Sequence, residues 1–587
     1  MARRTIDGGL GLGGTLLLVA ACTASSQGGD GISGGDAASD SAGASAGEDT
    51  DTAGETISST SDTDGTGSDG TTGNDDTGTT EPEPPEPGQW DWRDAVIYFV
   101  FVDRFDNGDP DNDGPIGGGV DHRADYQGGD YAGVIAQIED GYFEGLGVNT
   151  LWITAPMGNT DSAGLGIGGD DHSYSAYHGY WPSEMTETEE HFGTMDELQQ
   201  LVDTAHDHDL KVIVDYVMNH VHEESSVYTE HPDWFTEPCL CGSNECPWDG
   251  PTAQTCWFTD YLPSFDHNNG EARAFSVDNA IWWAQTLDLD GFRLDAVKHV
   301  ADQWVLDLRA RLTAEVESDE ERFYLVGETF TGDPQAIAYY VRDDMLDGQF
   351  DFPLRTQIVE KILLRQGSMS DLAGFMDAND ATYWSGGTMS TFIGNHDLPR
   401  VIHYAEDNPL AGSDPWWNDK DMGWTQPPTT PAGASAFERV GLGFTLLMTT
   451  PGAPLIYYGD EIGLPGAGDP DNRRFMDWNE DGYTDGQHLL RDQLQILTSV
   501  RADHPAMRYG DRQTLHADGE TMVFAMRLEH EELGEEVFVA LNRADFDVET
   551  SGIPDGTYDD ELSGQEITVS GGVAPLPARS ALILVPQ

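Results

Sequence analysis

Between Val96 and Val500 short apolar runs alternate with segments of helical spacing, and that alternation leaves few folds open. The runs are VIYFVFVDRF (Val96 to Phe105), VNTLWITAP (Val148 to Pro156), LKVIVDYVMNH (Leu210 to His220), GFRLDAV (from Gly291), FYLVGETF (Phe323 to Phe330), STFIGNHD (Ser390 to Asp397) and APLIYYGDEIG (Ala453 to Gly463). Tyr131 to Leu146, Met195 to His208, Ala272 to Leu289 and Val300 to Val316 carry helical spacing between them. Strands separated by helices of that length form parallel βα units, and about eight fit here, the number that closes a (β/α)8 TIM barrel. A doubly wound open sheet is the alternative. Polar residues at the carboxyl end of every strand favour the barrel.

One connection is too long for a simple crossover. Some fifty residues, about ten times an ordinary loop, separate the third strand from the helix near Ala272, so residues 220–270 read as a small domain inserted after that strand. The barrel itself is then 89–219 and 271–505. After about Ala506 the pattern changes to short alternating strands such as MVFAMRL, EVFVALN and SALILVP, which predicts a C-terminal antiparallel β-sandwich over 506–587.

The chain has 106 acidic against 28 basic residues, a formal net charge of -78. Such a field repels phosphate and excludes nucleic acid as a natural partner, whereas a neutral substrate feels no repulsion. Screening in salty water would relieve the self-repulsion, which makes a saline habitat an expectation. Residues 23–88 are almost wholly Ser, Thr, Gly, Ala, Asp, Glu and Pro, too polar to offset the entropy of ordering, and read as a disordered acidic tether. Ahead of it, Arg3 and Arg4 precede an apolar run ending LVAAC, an export signal over residues 1–22. That ending resembles the lipobox of bacterial lipoproteins, which implies lipidation at Cys22, an exported chain anchored at the cell surface, and membrane contact through the anchor alone. With export, Cys239, Cys241, Cys246 and Cys256 are expected to form two disulfides rather than a zinc site; their pairing stays open, although Cys239 with Cys241 is sterically poor. A monomer is expected.

The chemistry sits at the strand ends. In GFRLDAVKH, Arg293 lies two residues before Asp295, on the same face of an extended strand, where a guanidinium keeps a carboxylate ionised and oriented. Alone, that pair is equally consistent with a structural ion pair. It is joined by Asp215, Asn219 and His220 in DYVMNH, by Glu328 at the end of YLVGE, and by His396 and Asp397 in FIGNHD. In a closed barrel all of these converge on one mouth. Crowded carboxylates split their pKa values, leaving one protonated and another ionised, and that division suits glycoside hydrolysis.

These four segments, in this order, resemble the four signature regions of the α-amylase family of glycoside hydrolases. The resemblance implies Asp295 as nucleophile, Glu328 as general acid/base and Asp397 as a third carboxylate binding sugar hydroxyls. It implies that Arg293 orients Asp295 while His396, His220 and Asp215 hold the sugar and the carboxylate network. YHGYW resembles the stretch supplying His178 and a stacking Tyr180; Lys298 and His299 resemble leaving-group-side contacts; DPDNRR places Asp469 and Arg473 at a more distant subsite. The loop DRFDNGDPDND with Gly128 to Asp130 resembles a calcium loop of cyclodextrin glucanotransferases, with Asn107, Asp109, Asn112, Asp113, the Gly128 carbonyl and Asp130 as ligands. A second calcium common in the family would use Asn219 and the His299 carbonyl. There the sequence departs: LPSFD places Ser264 where relatives carry an aspartate, with Asp266 as a possible substitute. One or two calcium ions are thus implied.

The expected function is cleavage of internal α-1,4 bonds in starch and maltooligosaccharides with retention of configuration. A cyclodextrin-forming transglycosylase is the rival in chemistry. Against it stand the single β domain after the barrel and Asp260, beside Tyr261, where those enzymes place a central aromatic. A non-catalytic glycan-binding protein is the rival from another class; it would be expected to have lost a carboxylate, and all three are present.

Overall fold

Eight parallel strands run β1 (Ile97–Val100), β2 (Thr150–Ile153), β3 (Lys211–Tyr216), β4 (Gly291–Leu294), β5 (Tyr324–Gly327), β6 (Gly348–Gln349), β7 (Ser390–Phe392) and β8 (Ala453–Tyr457). Their hydrogen-bonded order is β6-β5-β4-β3-β2-β1-β8-β7, and a parallel bridge between Phe350 and Ser390 closes the ring. The structure is a computed structural model and describes residues 84–85, 89–166, 170–243, 246–318 and 321–587. The export signal, Cys22 and the tether, apart from Pro84 and Pro85, lie outside the described residues. No helix among the described residues is long and apolar enough to cross a membrane.

The strands are shorter than the apolar runs that announced them, because each run continues past its last ladder bond into the mouth. The residues of β1, β2, β4 and β5 are buried throughout, with barrel interior on one face and helices on the other, so they read as apolar runs rather than alternations. β6 is the strand that the sequence did not announce: two residues between Asp347 and Phe350 carry no recognisable pattern.

Helices α1 (Tyr131–Glu139), α2 (Met195–Asp207), α3 (Gly270–Leu287), α4 (Asp302–Glu315), α5 (Pro334–Ala338), α6 (Phe352–Ile358), α7 (Met369–Asn379), α8 (Ser435–Met448) and α9 (Asp485–Asp503) surround the barrel. In α2 the logic is local: Thr194 and Glu197 form a capping box, and Leu198, Leu201, Val202 and Ala205 bury one stripe. Such a cap is worth about 1 kcal/mol, whereas each fully buried leucine or valine adds roughly 1.5–3 kcal/mol. The stripe, not the cap, therefore holds α2 in place.

The inserted segment after β3 is mostly irregular, tied by single bridges such as Phe235 with Phe265 and Leu240 with Trp257. It contains one disulfide rather than two: Cys239 pairs with Cys256, while Cys241 and Cys246 are buried thiols with sulfurs 3.2 Å apart. A second excursion, between β2 and α2, carries short antiparallel pairs, Met157–Asn159 with Pro182–Thr188 and Gly164–Leu165 with Ser173–Tyr174.

Beyond α9 the strands β9 (Asp511–Ala517), β10 (Thr521–Leu528), β11 (Glu535–Asn542), β12 (Val548–Ser551), β13 (Gly556–Asp560), β14 (Gln565–Val569), β15 (Val573–Leu576) and β16 (Ser580–Pro586) form the β domain. Six make one antiparallel sheet, β9-β10-β11-β16-β13-β14, and β12 pairs with β15. Alternation decides its two faces. Val523, Ala525, Phe538 and Ala540 join the domain's own core, while Phe524, Met526, Val537 and Val539 join the barrel's core. The β domain is thus packed onto the barrel by one side of its main sheet.

Candidate active site

Strand register brings the charged groups together. Asp215 on β3 sits directly beside Arg293 on β4, and Leu294 sits beside Gly327 on β5, so Asp295 and Glu328 each follow a paired residue by one step. Past that point the backbone still ties the two ends: Glu328 N–H donates to Leu294 and Val297 N–H to the Glu328 carbonyl, both at 2.9 Å. Ala296 turns left-handed at φ 51°, ending the strand immediately after Asp295. A Cβ on Gly327 would fall 2.5 Å from the Leu346 side chain and 2.8 Å from that of Val297, so glycine gives β5 room to deliver Glu328 without displacing either.

One guanidinium binds three carboxylates. Arg293 Nη1 lies 2.8 Å from Asp215 Oδ1 and 2.8 Å from Asp295 Oδ1, and Nη2 lies 2.9 Å from Glu328 Oε2. Asp215 and Arg293 are fully buried, whereas the Asp295 and Glu328 side chains keep 12% and 11% of their surface open to the cavity above. Burial pushes the Glu328 carboxyl up to about 8; Arg293 opposes this, and the charges of Asp397, Asp295 and Asp215 add to it. Burial also raises Asp215 to about 6, against the pull of Arg293, and raises Asp295. At neutral pH the arrangement therefore holds its surplus proton on Glu328.

Asp397 stands across the mouth, one-third exposed, with Oδ2 3.2 Å from His396 Nε2 and Oδ1 3.4 Å from Arg473. Tyr180 joins the two sides: its hydroxyl donates to Asp215 Oδ2 at 2.7 Å and lies 2.9 Å from His396 Nε2, while its ring stacks on the His396 imidazole at 14°. His178 Nδ1 accepts the Tyr180 N–H, and His220 Nε2 lies 2.9 Å from the Tyr180 carbonyl. Burial holds the His178 and His396 imidazoles well below their ordinary pKa and His220 and His299 at about 4, so all four are neutral donors and acceptors. Lys298 Nζ binds Asp249 at 2.6 Å and the Phe330 carbonyl at 2.9 Å. Arg473 Nη1 lies 3.1 Å from Asp469 Oδ1, so Arg473 stands between Asp469 and Asp397.

Apart from the buried Asp215 and Arg293, these groups line one cavity of about 590 Å³, floored by Asp295, Glu328 and Asp397 and walled by aromatic rings. Sequence reasoning missed several of its walls: Trp248, Asp249 and Phe258 from the inserted segment, Phe330 and Lys420. Phe258 packs its ring against His299 at 4.8 Å and His220 at 5.3 Å. The one signal available was the density of tryptophan and phenylalanine among the inserted cysteines. Tyr261 turns away, donating to the Leu165 carbonyl.

The two expected calcium sets differ. In the first loop Asn107 donates to Asp113 Oδ1 at 2.7 Å, Asn112 Oδ1 is buried with no partner, and Gly128 has φ 91°. A Cβ on Gly128 would meet Asp113 Oδ1 at 2.4 Å. An unsatisfied amide oxygen and a carboxylate against a bare backbone fit a hard cation. Asp130 instead caps α1, taking N–H groups from Gly108, Asp109 and Gly133, and Asp109 accepts from Asp111 N–H. In the second set Asn219 donates to His220 Nδ1 at 3.2 Å and Ser264 Oγ at 3.4 Å, and Asp266 accepts from Asn268 N–H. Ser264 stands where the carboxylate ligand would be, and the hydrogen bonds of Asn219 engage its amide nitrogen rather than its carbonyl oxygen. The carboxylate–imidazole groupings that lie close enough to share an ion, among the described residues, are elsewhere: Asp161, Glu190 and His191, and Asp170, Asp171 and His172.

Comparison with known proteins agrees with the geometry. The alpha amylase catalytic-domain profile matches residues 99–504. A beta/alpha-amylase of Paenibacillus polymyxa is 30% identical over 494 residues, covering 81% of this chain and 36% of the relative. A cyclomaltodextrin glucanotransferase of Paenibacillus macerans is 28% identical over 509 residues, covering 82% and 65%. The chain thus spans between about one-third and two-thirds of the length of these relatives. The crystal structure of an Anoxybacillus alpha-amylase superposes with a TM-score of 0.69 at 30% identity, covering 85% of this chain and 99% of that one. With its barrel, its strand-end carboxylates and these matches, the chain belongs to the α-amylase family of glycoside hydrolases.

Proposed function

We propose that the protein hydrolyses internal α-1,4-glucosidic bonds of starch and maltooligosaccharides by double displacement. The observation that carries this reading is the sharing of Arg293 between Asp295 and Glu328, one carboxylate oriented for attack and the other holding a proton. Side chains on adjacent strands that share one guanidinium suit the short carboxyl separation of retaining enzymes, about 5–5.5 Å, better than the wider inverting one. Glu328 gives its proton to the departing glycosidic oxygen as Asp295 attacks the anomeric carbon. Water deprotonated by Glu328 then opens the β-linked intermediate and returns the α-anomer. Asp397, His396 and His178 hold sugar hydroxyls, and the aromatic walls take the apolar ring faces.

The test is the anomer first released from a maltooligosaccharide, followed by NMR before mutarotation. An initial β-anomer would overturn the residue roles. Transfer to sugar rather than water is the second reading, favoured by the aromatic Phe258 and Trp248 on the Lys298 side and by the glucanotransferase relatives. Resolving linear from cyclic products over time separates the two.

A calcium ion held by Asn107, Asn112, Asp113 and the Gly128 carbonyl would bind together the loop that leads into α1. Ahead of the barrel, Cys22 would carry a lipid that anchors the exported enzyme to the cell surface. Absence of fatty-acid labelling at Cys22 in the producing cell would remove the anchor from this account.

A further inference from the structure

Neutral contacts and, among the described residues, one charged contact join the insertion after β3 to the segment that follows β4. The neutral ones are buried or half-buried: His299 Nδ1 lies 3.1 Å from the Ala253 carbonyl, and the Gln254 amide donates to the Val300 carbonyl at 3.1 Å. The Trp248 and Phe258 rings meet the His299 imidazole edge-on at 5.8 and 4.8 Å. The charged contact is Asp249 Oδ1 with Lys298 Nζ at 2.6 Å, and it lies on the open side, where the Asp249 side chain keeps 74% of its surface exposed and that of Lys298 18%.

An ion pair so exposed contributes little to stability, and the neutral contacts dock the insertion without it. What the pair fixes is Lys298. An ammonium on a long flexible stem carries three N–H donors. One goes to Asp249 and a second to the Phe330 carbonyl at 2.9 Å, in the loop that follows Glu328. Lys298 lines the active-site cavity, so the remaining donor is available to whatever enters there. Pinning the ammonium beforehand spares the ordering cost that a freely moving lysine would meet when a ligand binds.

We propose that Asp249 is a positioning residue for the sugar on the Lys298 side. It holds the ammonium toward a hydroxyl of the sugar that departs when the bond from the anomeric carbon to the glycosidic oxygen breaks and that oxygen takes the Glu328 proton. The inference rests on the proposed reaction and deepens it: Asp249 favours leaving groups that are themselves sugars, and it does so only through Lys298.

The test sets Asp249→Asn beside wild type on two substrates. Maltoheptaose has a sugar leaving group; para-nitrophenyl α-maltotrioside, followed by nitrophenol release, has an aryl alcohol that offers Lys298 no hydroxyl. The ratio of kcat/KM on the first to that on the second should fall about threefold in the variant, the scale of one exposed charged contact. Tm should move by about one degree or less. In a Lys298→Met background the same substitution should change the ratio no further, because a residue that acts through the ammonium has nothing left to position. An unchanged ratio, an equal loss on both substrates, or a further loss in the Lys298→Met background overturns the inference. A wild type that cuts neither substrate would instead refute the proposed activity. The tie would then be judged by calorimetry on the Kd for maltoheptaose, weaker by about threefold in Asp249→Asn if it stands and equal if it does not.

Discussion

The two ends of the barrel hold their ions in different proportions. At the base, Arg309 binds Asp347 and Glu317, Arg322 binds Asp347 and Asp343, and Lys211 and His206 share Asp290. Backbone N–H groups complete the set, from Val212 to Asp290 and from Leu325 to Asp347. At the mouth Arg293 serves three carboxylates alone. The titrations diverge accordingly. Burial would raise Asp290, but the hydrogen bond from His206, the charge of Lys211 and the Val212 N–H outweigh it and hold the carboxyl below its ordinary range. Glu328, equally buried but sharing its cation, goes up to about 8. Matched ions hold the strand ends in place, whereas under-matched ones keep a proton available for transfer.

The largest expected effect separates the ends by activity. Asp295→Asn and Glu328→Gln should each lower kcat by several orders of magnitude, as loss of a nucleophile or acid does, while the melting temperature stays level or rises because an excess carboxylate has gone. A fall of many degrees would show that the mouth is structural after all. At the base the pattern should invert. Arg309→Met leaves Glu317 buried without its cation and Asp347 with Arg322 alone, and should cost about 3–5 kcal/mol of stability, read by denaturant unfolding, with kcat nearly unchanged in the folded fraction.

A smaller effect is the dependence on pH. Glu328, whose folded pKa is raised, adds stability that is complete below the ordinary carboxyl range and is lost as the pH climbs to about 8. Asp290, whose folded pKa is lowered, adds stability present above that range and lost as the pH falls. Glu328→Gln should therefore flatten the alkaline side of the stability profile and remove the alkaline limb of kcat/KM, and Asp290→Asn should flatten only the acid side. If both variants change the same limb, the contrast between the two ends is wrong. The smallest expected effect lies outside both ion clusters. Chelator should lower Tm by a few degrees if the first loop holds calcium, since a ligand bound only by the folded state stabilises it by mass action. Asp113→Asn should remove that response.

Much of this was legible in the sequence because it is local. Seven of the eight barrel strands are long enough, with their apolar extensions, to be read directly, and each catalytic carboxylate follows its own strand. β6 was not legible because two residues cannot express a period; its place is set by the ring that must close between β5 and β7. The walls of the active-site cavity were also hidden. Trp248 and Phe258 come from an irregular insertion whose path depends on the Cys239–Cys256 link and a few bridges, and neither has periodicity.

The order of the segments and the identity of the strand-end residues thus determined the barrel and its reacting groups, since a parallel βα alternation closes in only a few ways and always gathers the carboxyl ends of its strands. Charge balance was decided by tertiary structure alone. The composition records a large excess of acid everywhere, and nothing in it says that Asp290 meets Lys211 and His206 while Asp215, Asp295 and Glu328 must divide Arg293. That partition follows from strand register and burial, which place groups far apart in the chain within hydrogen-bonding distance and remove the water that would otherwise have made their numbers unimportant.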